Sequence, residues 1–150
     1  MLVARHLTVG EILSDSSSDD LSAARALGVI VQDASVALAD RAEALAHLLN
    51  LSANNEGTLL LPLIKSPKLP DAFATTILND SLNRPLKWQA DVCLAVMARP
   101  VGKALYTEAR EHLAFLTDED HGDDLKAWVR AAREAQLKWQ EADSDSGAPN

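Results

Sequence analysis

Apolar residues recur along most of this chain at intervals of three and four, the spacing that lines one face of an α-helix. The clearest case lies near the C-terminal end. Leu125, Trp128, Val129, Ala132, Ala135 and Trp139 form one stripe, while Lys126, Arg130, Arg133, Glu134 and Lys138 face the other way. Asp123 and Asp124 sit where this helix begins, and the helix dipole favours negative charge there. Residues 21–51 are also helical in pattern, with a break expected near Gly28 or Asp33. Leu38, Ala42, Leu45, Leu48 and Leu49 mark the apolar side, and Asp40, Glu43, His47 and Asn50 the other. A short element over Val9 to Leu13 follows Thr8. The polar run Ser14 to Asp20 reads as a loop whose side-chain oxygens cap the next helix.

Prolines punctuate the chain at Pro70, Pro85 and Pro100, 15 residues apart, each opening an apolar phrase of about four helical turns. Proline suits the first helical position, where its missing N–H would have had no partner. Tight joints between such phrases predict helices stacked as antiparallel hairpins. The phrase after Pro85 is apolar on nearly all sides, with an unbroken run from Val92 to Ala98, so it belongs at the centre of the core. Residues 52–58 are turn-like. Leu59–Ile64 fits a short buried helix or a strand, and the helix is preferred, with Thr58 as cap and Pro62 in its first turn. The expected fold is all-α: a single-domain antiparallel helical bundle, or a short stack of helical hairpins, of about six helices over residues 1–142. A disordered acidic tail is expected over 143–150.

Composition supports the same conclusion. Ala (25) and Leu (24) make up about a third of the 150 residues and aromatics only 4%, a palette that favours helix over sheet. The formal net charge of −8 divides evenly, with 5 basic and 9 acidic groups in residues 1–75 and 9 and 13 in residues 76–150. Neither half offers a basic footprint for phosphate, which argues against nucleic-acid binding. One cysteine, Cys93, cannot form an internal disulfide. Residues 1–13 lack the apolar stretch of a signal peptide and no run of about 18 apolar residues occurs, so a cytoplasmic protein without membrane contact is expected.

Candidate chemistry is sparse. The loop Thr117 to Asp124 has the carboxylates for a cation, but neither possible register places Gly at the sixth and Glu at the twelfth position of a calcium loop. It reads better as a solvated turn whose acids cap the following helix. Glu108, His112, Asp118 and His121 are the alternative, a small metal site or acid–base cluster, without an HExxH-type motif to support it. Cys93 has apolar neighbours and no adjacent positive charge to activate it. No nucleophile with its base and no phosphate loop is recognisable, so neither catalysis nor a cofactor is expected.

What remains is a protein-binding role: an adaptor, a chaperone, or an inhibitor or immunity-type protein, with a partner that presents a basic surface or a second copy of the chain. The expected contact residues are Trp139, Lys138 and Arg133 on the last helix, and Asp118, Glu119, Asp120, Asp123 and Asp124 in the acidic loop.

Overall fold

The structure is a computed structural model that describes residues 8–15, 19–100 and 102–146, the last four as backbone. Among the described residues all regular structure is helical. Nine segments follow one another: α1 (Val9–Ser14), α2 (Asp20–Gln32), α3 (Leu38–Leu51), α4 (Glu56–Leu59), α5 (Leu61–Lys65), α6 (Asp71–Ser81), α7 (Leu86–Ala98), α8 (Lys103–Thr117) and α9 (Leu125–Ser146). That exceeds the six expected, because Asp33 divides one long helical pattern and α1, α4 and α5 are pieces of one to two turns. The chain divides into two compact units, Met1–Phe73 and Ala74–Asn150, with the division falling inside α6.

In the first unit α2 and α3 form a hairpin against which α1 and α4 pack. Thr8 and Glu11 close α1 with a reciprocal capping box, and Asp19 caps α2 through the Ser22 amide at 2.7 Å. Ser16, Ser17 and Ser18 of the expected capping loop lie outside the described residues. The buried face of α3 is Arg41, Ala44, Leu45, Leu48 and Leu49, whereas Leu38 and Ala42, expected on that face, are exposed. An arginine therefore stands where the sequence pattern leads one to expect an aliphatic residue. Its Nε donates to the Val31 carbonyl at 3.0 Å, and its guanidinium lies 5.6 Å from the centre of the Phe73 ring. Val31 sits in the last turn of α2, where carbonyls lack helical partners, so a buried cation there satisfies a backbone group that would otherwise be stranded.

Leu59–Ile64 is helical on both sides of a break at Leu60, with Pro62 in the first turn of α5 as expected. Thr58 lies inside α4 and is not its cap. Asn55 precedes Glu56 and supplies the first turn with backbone carbonyl contacts instead.

In the second unit α7 is the axis, with both α8 and α9 packed on it and on each other. From Trp88 to Met97 every residue but Asp91 is buried, and of the apolar run Val92 to Ala98 only Ala98 is exposed. Pro85 is the residue before α7 and not its first, its extended backbone setting the direction of entry. Gln89 Nε2 donates back to the Arg84 carbonyl at 2.8 Å and ties this entry down. On α9, Trp128, Ala131, Ala132 and Gln136 are buried, while Leu125 and Val129 at its start are exposed. The real seam is thus rotated slightly from the expected stripe and includes a polar residue. The tail expected from 143 overlaps α9, which continues to Ser146; residues 147–150 lie outside the described residues.

Candidate partner-binding groove

The acidic loop between α8 and α9 is built from local bonds. Asp118 ends α8 in the left-handed conformation (φ 55°), and Gly122 turns the chain at φ 58°, where a side chain would strain the backbone. Asp120 accepts from the Gly122 amide at 2.9 Å and Asp124 from the Ala127 amide at 3.2 Å, the latter capping α9. Tyr106 donates to Asp123 at 3.0 Å, and Arg110 stands 3.7 Å from the same carboxylate. The Gly122 carbonyl receives the indole N–H of the fully buried Trp128 at 2.8 Å, locking loop to core.

Of the residues considered for metal or acid–base chemistry, Glu108 lies within electrostatic reach of His112, while His121 is engaged elsewhere. Gln89, having turned its amide nitrogen to Arg84, presents its oxygen to His112 Nε2 at 2.8 Å, so that ring nitrogen holds the proton. Partial burial holds the His112 pKa below its ordinary value, opposed by the Glu108 carboxylate. His121 instead stands 3.5 Å from Glu119 and packs edge-on to Trp128 at 5.2 Å. Among the described residues, no three His, Cys, Asp or Glu side chains are grouped as metal ligands. Cys93 is fully buried, and desolvation pushes its thiol up to about 12, the Glu108 charge adding to the effect. It is a structural thiol. Trp88 is buried as well, its indole N–H without an acceptor among the described residues.

The second unit carries a groove of about 1160 Å³ between the start of α7 and the C-terminal half of α9. Pro85, Leu86, Leu137, Trp139 and Ala142 give it an apolar floor, and Lys87, Arg133, Gln136 and Gln140 a polar edge. Leu137 is 62% exposed and Leu86 43%, and with Trp139 they bring three large apolar side chains to one concavity. From Arg133 to Ala142 the wall runs about 14 Å, or two and a half helical turns.

A closed polar network holds this wall to α7. Gln136, 9% exposed, donates from Nε2 to the Lys87 carbonyl at 3.1 Å and to Asp91 at 2.9 Å, and its oxygen accepts from Arg133 Nη1 at 2.6 Å. Arg133 Nη1 also donates to the same Asp91 oxygen at 2.9 Å. Every polar atom of the Gln136 amide is thereby engaged.

Of the residues expected to touch a partner, Arg133 and Trp139 line the groove, and Lys138 is exposed on α9 without lining it. Asp118, Glu119, Asp120, Asp123 and Asp124 precede α9, and Trp139 follows its first residue by fourteen positions, about 21 Å along the axis. The two groups do not form one patch. Leu86, Lys87, Gln136 and Leu137 were not singled out from the sequence. Leu137 carried a readable signal, since it lies half a turn of the helical wheel from Trp128. Phe115, 80% exposed and stacked on His112 at 6.3 Å, is a second such case, standing two residues past the buried Leu113. In the first unit a smaller pocket of about 270 Å³ opens beside Gly10, with Asp40 and Glu43 at its edge. Glu43 is already 3.8 Å from His47. Among the described residues, no helix is long and apolar enough to cross a membrane. No known protein family, curated protein or solved structure matches this chain.

Proposed function

We propose that this chain is a non-enzymatic protein-interaction module, an adaptor, chaperone or inhibitor, acting in the cytoplasm, whose α7–α9 groove receives an apolar segment of a partner protein. The observation that carries this reading is the pair Leu86 and Leu137, both exposed on facing walls of a groove that Trp139 also lines. Trp139 and Arg133 belong to the residue types enriched in energetic hot spots, and here both line one concave site. A wall of two and a half turns suits a short helix laid against it. The net charge of −8 adds long-range attraction for a partner with basic surroundings.

Leu137→Glu tests the reading, because the residue is exposed and the change leaves the core alone. Partners crosslinked in extracts of the native source and captured by the wild-type protein are expected to be lost from Leu137→Glu and retained by Phe115→Ala. Equal capture by all three proteins removes the groove from the account.

A further inference from the structure

We infer that the segment entering the α7–α9 groove carries a carboxylate, an Asp or Glu side chain, that Arg133 grips side-on; this rests on the groove reading above and names the chemistry of its occupant. With 22 acidic against 14 basic residues, an average stretch of surface is negative, yet among the described residues the charged side chains that line the groove are Lys87 and Arg133, with the Asp91 carboxylate set behind Arg133.

The geometry of Arg133 is the stronger argument. A guanidinium has five N–H donors, two on each terminal nitrogen and one on Nε. Here Nη1 alone is engaged, one hydrogen to Asp91 at 2.9 Å and the other to Gln136 at 2.6 Å. The Nε and Nη2 hydrogens have no acceptor among the described residues, and the side chain is 57% exposed. Those two groups form one edge of the planar fork, the edge that donates to both oxygens of a carboxylate in parallel hydrogen bonds. Asp91, only 19% exposed, lies behind the guanidinium and fixes its orientation. Gln136 holds the same Asp91 oxygen, so the arginine is positioned before any ligand arrives and loses little freedom on binding one. Among the described residues Lys87 has no such anchor, and it adds a second cation on the α7 side.

An apolar residue seated on Leu86, Leu137 and Trp139 and an acid one turn away along the same face would meet both features at once. The ligand class is therefore an amphipathic helix of another protein with a carboxylate at three or four residues from its apolar anchor.

The test is a selection of displayed helical peptides on the full chain, with Leu137→Glu as the counter-selected control. Enriched sequences are expected to combine leucine or aromatic anchors with Asp or Glu at that spacing. For the best peptide, Glu→Gln is expected to weaken binding about tenfold on the wild-type protein and less than twofold on Arg133→Gln, a charge-assisted pair being the difference. Lys87→Gln, which disturbs no network, is expected to weaken the acidic peptide by a few fold and to reduce its salt sensitivity. Enriched peptides that are neutral or basic, or a Glu→Gln effect equal on wild type and Arg133→Gln, overturn the carboxylate while leaving the groove. No enrichment over Leu137→Glu overturns both.

Discussion

Gln136 is the residue whose replacement most sharply tests how the groove is built. Gln136→Leu keeps the side-chain volume and removes three hydrogen bonds, two of them to the charged partners Arg133 and Asp91. Such bonds contribute about 1–1.5 kcal/mol each where partly solvated, so about 3–4 kcal/mol is lost. The Lys87 carbonyl and Asp91 keep other partners, the helix ladder and Arg133, which limits the desolvation penalty. Burying leucine methyls in place of the amide returns about 1.5 kcal/mol. The net destabilisation is about 2 kcal/mol. All three tryptophans, Trp88, Trp128 and Trp139, belong to the unit Ala74–Asn150, so tryptophan fluorescence in a urea titration follows that unit alone. With a slope of about 1.5 kcal/mol per molar urea, the midpoint falls by more than 1 M. A midpoint within 0.2 M of wild type would refute the claim that this network fastens α9 to α7.

Two further outcomes follow from the core of the same unit. Cys93, with its thiol pushed up to about 12, is expected to resist a thiol reagent at pH 8 in the folded protein and to react fully in urea; rapid labelling of the native state would contradict its burial. His112 is expected to titrate below 6.5, because burial disfavours its charged form more than Glu108 favours it. Its folded pKa being lower than its unfolded one, the unfolded chain binds more protons in that window. Stability therefore rises with pH up to about 6.5 and is lost as pH falls through the folded value. Nuclear magnetic resonance of the ring protons measures the midpoint, and one at or above 6.5 is the contrary result; His112→Gln should flatten this part of the pH–stability curve.

The helices were legible because their causes are local. Thr8 before Val9, the Pro85 phrase, and the apolar spacing through Leu45, Leu48 and Leu49 each act within a few residues of chain. The features that failed to show are those that answer a need arising elsewhere. Arg41 is buried because the end of α2 leaves the Val31 carbonyl unpaired, and nothing in the pattern of α3 announces this. Gln136 takes a seam position on α9 because Asp91 and the Lys87 carbonyl face it from α7, 45 and 49 residues away in sequence. The groove itself arises between two helices distant in sequence, so only its Trp139 and Arg133 side was readable in advance. The pairing of Leu137 with Leu86 required the packed structure.

The central claim is that a partner lies on the α7–α9 groove, and the most direct measurement is the map of backbone and indole resonances perturbed when a groove-selected peptide or captured partner is added. Shifts are expected to concentrate at Leu86, Lys87, Arg133, Leu137 and the Trp139 indole, with Phe115 and the α2–α3 hairpin unmoved. Perturbations centred on Phe115, on residues 118–124 or in the first unit, with Leu137 and Trp139 silent, would contradict it.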